Sequence, residues 1–98
     1  MKNENKFQSE LKKEIEKRHP GCIIIKNDCH QIQGFPDLTV FKDGKYAWLE
    51  CKKNSKAEHQ PNQDYYVAKA NSDGGLGRFI YPENKEEVLN ELDTFFGI

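Results

Sequence analysis

The sequence predicts a single mixed α/β domain, a central β-sheet flanked by helices in the order α-β-β-β-α-β-α, and three observations carry that prediction. A chain of 98 residues has room for one hydrophobic core and not for two. Asp43-Gly44 separates two strand-like runs and is a dipeptide that two-residue hairpin turns favour. Apolar residues recur at helical spacing near both ends of the chain, outside those runs.

Each element has its own signal. Residues 5–18 read as a helix, because Phe7, Leu11 and Ile15 recur every four residues and Pro20-Gly21 ends the pattern. The Ile-rich stretch 22–26 reads as a buried strand, and residues 27–36 as a polar loop. Residues 37–42 and 45–52 form the two arms of the hairpin, followed by a polar loop over 53–59. Pro61 falls in the first turn of a helix that runs to about residue 71, where a missing N–H costs nothing. Asp73-Gly74-Gly75 stops that helix, and Arg78–Tyr81 is a short strand. Asn84 with Glu87 three residues on marks a capping box for the last helix, whose core face is Val88, Leu89, Leu92, Phe95 and Phe96.

Composition narrows the class. Hydrophobic residues at 36% and charged residues at 32% suit a soluble globular chain rather than a disordered one. No apolar run approaches the ~20 residues that span a bilayer, and the opening Met-Lys-Asn-Glu-Asn lacks a signal-peptide core, so no membrane partner and a cytoplasmic location are expected. Cys22, Cys29 and Cys51 are odd in number and contain no CxxC pair, which argues against a disulfide framework or a zinc ribbon and for structural thiols. The net charge of −1 lacks the basic surplus usual in sequence-independent DNA binders. The lysines nevertheless cluster, at Lys12, Lys13, Lys17 and Arg18 and again at Lys52, Lys53 and Lys56, and local field matters more than the total.

The hairpin makes a geometric prediction. With Asp43 and Gly44 as the turn, Lys42 pairs with Lys45, and every pair of opposed positions sums to 87. Asp37 and Glu50 obey the same sum, so they face each other, and Lys52, two residues past Glu50, shares their side of the sheet. Two carboxylates with Cβ atoms roughly 5 Å apart require a proton or a cation between them. An all-oxygen pair favours Mg²⁺ or Mn²⁺ over zinc. Taken alone, Glu50 and Lys52 also read as a solvent-facing ion pair on an exposed strand. The apolar setting Trp48-Leu49-Glu50-Cys51 and the opposed Asp37 favour chemistry instead, since an acid placed there is costly without partners.

Gly34-Phe35-Pro36-Asp37-Leu38 followed by Leu49-Glu50-Cys51-Lys52 resembles the motif of the PD-(D/E)XK nuclease superfamily. Gln63-Asp64-Tyr65-Tyr66 is similar to the Gln-x-x-aromatic segment of its VRR-NUC branch, and the thirteen-residue step from Asp37 to Glu50 resembles the archaeal Holliday-junction resolvases. The match spans nearly the whole chain. It implies a restriction-endonuclease-like core and a Mg²⁺- or Mn²⁺-dependent endonuclease acting on DNA, with branched or flapped DNA as the first substrate class, a homodimer as the assembly and a phage as the source. It further implies that Asp37, Glu50 and the backbone carbonyl of Cys51 hold the metal, that Lys52 positions the attacking water and steadies the phosphorane, and that Gln63 supports Lys52 or the phosphate.

The superfamily often adds a glutamate from the first helix. On a helical wheel Glu14 lies about 60° from the centre of the Phe7-Leu11-Ile15 stripe and Glu10 about 100°, so Glu14 is favoured over Glu10. Both acids also read as partners of nearby Lys13, Lys17 or Arg18. Lys26, His30, Gln31, Gln33 and Lys53 are candidate DNA contacts, although a loop filled with polar residues accounts for His30, Gln31 and Gln33 without one. Tyr65 and Tyr66 suit base stacking, with core packing favoured for at least one. Two further readings stay open: a DNA-binding module without catalysis, and a phage protein that engages a host factor and keeps the scaffold only for shape. Intact acids and Lys52 count against the first, and retained metal binding would count against the second.

Overall fold

The computed structural model describes residues 2–28 and 31–97, with side chains from residue 5 onward. The order is α1 (Lys2–Arg18), β1 (Ile23–Lys26), β2 (Leu38–Lys42), β3 (Lys45–Cys51), α2 (Pro61–Ser72), β4 (Leu76–Ile80), a 3-10 turn (Pro82–Asn84) and α3 (Lys85–Phe96). The four strands form one sheet in the order β1-β2-β3-β4, with the first two pairings antiparallel and β3 parallel to β4. The mixed sheet and the order of elements match the fold class that the sequence predicts. No helix among the described residues is long and apolar enough to cross a membrane.

The register follows from the turn. Asp43 at φ 52° and Gly44 at φ 79° make the left-handed pair of a tight hairpin, a conformation a side chain at position 44 would oppose. Lys42 therefore pairs with Lys45 and Leu38 with Leu49. Alternation then assigns the faces. Leu38, Val40, Ala47, Leu49, Cys51, Leu76 and Ile80 point to one side, where Leu11 and Ile15 of α1 and Val88, Leu89, Leu92 and Phe96 of α3 close the core over them.

The other face is covered only in part. Helix α2 lies over β3 and β4, and it lies close because residue 77 is glycine: a Cβ there would stand 2.1 Å from the Val67 carbonyl oxygen. Asn71 at the end of α2 completes the junction, since its amide accepts the Gly77 N–H at 2.9 Å and donates to the Gly77 carbonyl at 3.1 Å. That satisfies the outward backbone groups of an edge strand. Phe35, Tyr46, Trp48 and Tyr66 fill the space between α2 and the sheet with edge-on and tilted aromatic contacts, while Tyr65 stays exposed.

Two expectations are corrected. The strand β1 is not buried: Ile23 and Ile25 are 60% and 47% exposed, because β1 is an edge strand and α2 does not reach over it. Asn84 does not cap α3 with its side chain. Its Oδ1 accepts the Tyr81 N–H at 2.9 Å and its Nδ2 donates to the Phe79 carbonyl at 3.0 Å, so it builds the preceding 3-10 turn instead.

Charged residues fasten α1 to α3. Arg18 reaches Glu14, Glu86 and Asp93 at 3.3, 3.2 and 3.0 Å, and Lys85 meets Glu14 at 3.1 Å. His19 is buried beside them, edge-on to Phe96, with Nε2 3.0 Å from Asp93 Oδ1.

Burial pushes the His19 imidazole below its ordinary 6.5, against the opposing pull of Asp93. The unfolded chain therefore takes up a proton first, so this stability is whole above pH ~6.5 and is lost as pH falls through the lowered folded value. Glu14, held below 4.5 chiefly by the Lys85 ammonium, adds its own loss only at lower pH. The thermal midpoint is thus expected to fall as pH is lowered from ~6.5 towards ~5, and His19→Gln to flatten that slope, as read by circular dichroism melts.

Candidate active site

The sheet brings the two acids and the lysine of the motif to one end of β2 and β3. Asp37 immediately precedes β2, and the pairing of Leu38 with Leu49 carries it to the level of Glu50. Its carboxylate reaches one residue further, and Oδ2 accepts the Cys51 N–H at 2.8 Å. The Asp37 carbonyl accepts the Asn27 N–H at 2.8 Å, and Asn27 Nδ2 donates to Pro36 O and Thr39 Oγ1, so the start of β2 is tied to the end of β1.

Glu50 is 5% exposed, which for a carboxylate demands compensation. Gln63, in the first turn of α2, supplies part of it. Its Nε2 donates to Glu50 Oε2 at 2.9 Å. Its Oε1 accepts from Lys52 Nζ at 2.7 Å and from the Gln60 N–H at 3.0 Å. Reversing the amide would set an NH₂ group against an ammonium and an oxygen against a carboxylate, so one orientation satisfies all three neighbours. Lys52 Nζ also donates to the Glu58 carbonyl at 2.9 Å and lies 4.0 Å from Glu50 Oε2. Lysine and glutamate are thus held apart by one amide rather than collapsed into a direct pair.

The backbone contributes an oxygen. Lys52 N–H donates to Ile80 O on β4 at 2.9 Å. All described peptides are trans, so the Cys51 carbonyl points the opposite way, to the side where Asp37 bonds the Cys51 N–H. Two carboxylates and a carbonyl are hard oxygen donors, and few protein ligands plus water is the usual coordination of Mg²⁺. The residues present fit such a cation. Cys22 and Cys51 form no disulfide.

Other expected residues fall elsewhere. Glu14 does not join the site: it is committed to Arg18 and Lys85, and no three His, Cys, Asp or Glu residues cluster for a metal among the described residues. The reason is position along α1. Among the described residues, Phe7 is the α1 residue that lines a cleft of about 350 Å³ with Lys52, Lys53, Asn54 and Pro82, and Glu14 lies two turns further on, roughly 10 Å away. Glu10 shares the outer surface with Lys13, Glu14 and Lys17. Lys53 is exposed at the cleft, beside Lys52. Lys26 is exposed at the end of β1, and alternation turns it to the face opposite Glu50. Gln33 is exposed, and its carbonyl accepts from Asn62 Nδ2 at 3.3 Å, docking the loop on the start of α2. Gly34 permits that docking, since a Cβ there would meet Asn62 Cβ at 2.4 Å. His30 and Cys29 lie outside the described residues.

One participant, and one buried polar group on α1, are new to the structure. The Glu58 carbonyl, a ligand of Lys52, has no signature in a side chain. Gln8 on α1 is 7% exposed, with Oε1 buried and no hydrogen-bond partner among the described residues. A helical wheel sets Gln8 within about 20° of Ile15, so its inward aim was legible.

No protein-family model matches the chain, and no curated protein does. Among solved structures, one described as a VRR_NUC domain superposes with a TM-score of 0.69 over 94% of this chain and 95% of its own, at 22% sequence identity. At that identity the likeness establishes the shared fold.

Gln63→Met is expected to destabilise the fold by about 1–3 kcal/mol in urea unfolding, because it strips partners from Glu50, Lys52 and the Gln60 N–H while keeping the side-chain length.

Proposed function

We propose that this protein is a divalent-metal-dependent endonuclease that hydrolyses DNA phosphodiester bonds, with Asp37, Glu50, Lys52 and Gln63 as its working side chains. The observation that carries the reading is the part-buried Glu50–Gln63–Lys52 arrangement beside Asp37. An ion pair serving only stability has no need of an intervening amide that keeps acid and base 4.0 Å apart. The shared fold with a domain described as VRR_NUC agrees with it.

Asp37, Glu50 and the Cys51 carbonyl would hold Mg²⁺ or Mn²⁺. When bound, such an ion lowers the pKa of a coordinated water and neutralises charge on the phosphate. Lys52 has three N–H groups, of which Gln63 and Glu58 take two. The third is available to orient the attacking water or to stabilise the charge that builds on the phosphate oxygens. Gln63 fixes the ammonium in place, and its second bond keeps the Glu50 carboxylate turned towards the same point. Branched or flapped DNA is the substrate class to which this reading extends.

The test is cleavage of linear duplex, single-stranded, flapped and four-way-junction DNA with Mg²⁺ or Mn²⁺, with EDTA controls. Cutting is expected to require the metal and to drop at least about a hundredfold in Asp37→Asn and Lys52→Ala. DNA binding without cutting on any substrate, by a folded protein, would replace this reading with a non-catalytic DNA-binding module.

The assembly proposed is a homodimer. Ile23, Ile25 and Phe41 stand exposed on the part of the sheet that α2 leaves open, next to the outer edge of β1. Such a patch, bordered by polar residues, is typical of an interface. The expected mass in sedimentation equilibrium is that of two chains, falling to one in the double variant Ile23→Lys, Ile25→Lys; a monomeric parent would refute the dimer.

A further inference from the structure

The loop from β3 to α2 holds a second polar arrangement that the proposed reaction does not use. The His59 ring lies flat on Phe79, with centroids 3.8 Å apart and planes within 14°. Its Nδ1 stands 3.1 Å from Asp64 Oδ1. Phe79 is the register partner of Glu50 on the neighbouring strand, and neighbouring strands lie about 4.8 Å apart, so the ring covers the residue directly beside Glu50. Both chain neighbours of His59 serve the site: the Glu58 carbonyl accepts Lys52 Nζ, and the Gln60 N–H donates to Gln63. The side chain is 35% exposed, and no hydrogen bond engages Nε2 among the described residues.

A stack fixes the plane of an imidazole, and a carboxylate on one nitrogen fixes its rotation within that plane. Fixing both is more than a solvated surface histidine requires. We propose that His59 is a DNA-phosphate ligand, which donates Nε2–H to a non-bridging oxygen of a phosphate flanking the cleaved bond, with Asp64 as its positioning residue. With Nδ1–H given to Asp64 and Nε2–H to the phosphate, the ring has one N–H for each anion. Lys53 and Lys56, exposed in the same loop, extend the positive track along which a DNA backbone would run. A lone ring N–H suits one phosphate oxygen better than a base edge, which needs paired donors or acceptors for discrimination. The proposal rests on the nuclease reading for which phosphate is concerned, and on DNA binding alone for the contact.

The experiment couples one side chain to one phosphate. His59→Phe keeps a ring for the Phe79 stack and removes both nitrogens. Its affinity for flapped DNA is measured in Ca²⁺ and its cutting rate in Mg²⁺. The DNA is either unmodified or carries a single uncharged methylphosphonate, placed in turn at each phosphate around the junction. The parent protein is expected to lose about tenfold to a hundredfold in affinity at one such position. His59→Phe should already be weaker by that factor on unmodified DNA, indifferent to the methylphosphonate at that position, and still sensitive elsewhere. Asp64→Asn should show a smaller loss with the same positional signature. Binding by His59→Phe equal to the parent, or losses that add at every position, would overturn the contact. Because affinity is read apart from cutting, a parent that binds but never cuts overturns the nuclease reading alone, and the coupling still decides His59. A parent that does not bind DNA overturns both.

Discussion

A carboxylate taken out of water has to be given partners, and in this protein much of the architecture follows from meeting that requirement at Glu50. The acid sits near the end of a central strand under a helix, where its desolvation would be costly if it were left to itself. One amide meets part of the need. Gln63 donates to the acid, accepts from Lys52 and closes the first turn of its own helix on the Gln60 N–H. The same side chain therefore closes the first turn of a helix, hydrogen-bonds a buried carboxylate and spaces an acid from a base.

That amide can act only if α2 lies close to the sheet, and the closeness has an identifiable origin. Gly77 removes the side chain that would collide with the Val67 carbonyl, and Asn71 ties the far end of the helix to the same glycine's backbone. Gly34 does the corresponding service at the near end, where the loop before β2 meets Asn62. The helix is thus located at both ends by backbone contacts that admit no bulk. Between them the aromatic cluster of Phe35, Tyr46, Trp48 and Tyr66 fills the remaining volume.

The two sides of the sheet are used differently. The α1–α3 side is a conventional core closed by aliphatic side chains and fastened at its rim by Arg18, Glu14, Asp93 and Lys85. Those charges hold the helices together, and Glu14 is one of them. The α2 side is narrower than the sheet. It shelters the acids and Lys52 at one end and leaves β1 and part of β2 uncovered at the other, so that a polar site and an apolar patch share a single face.

The hairpin and everything hung on it were legible in the sequence. Asp43-Gly44 sets a turn of one type, the turn sets the register, and the register sets which residues share a face, so the alignment of Asp37, Glu50 and Lys52 needed no tertiary information. The core stripes of α1 and α3 were equally plain, because they depend on periodicity alone. Tertiary structure decided the rest. Whether Ile23 and Ile25 are covered depends on how far a helix elsewhere in the chain extends over the sheet, and the strand's own sequence is silent about that. Whether Glu14 serves the site or the helix interface depends on the height at which α1 crosses the strands and on the cations that α3 brings to it. The Glu58 carbonyl and the His59 ring enter the neighbourhood of Lys52 through the path of a loop, and loop paths are set by the closure of distant contacts rather than by local pattern. Local chemistry fixed which groups face one another along a ladder, and only packing fixed which groups arrive from outside it.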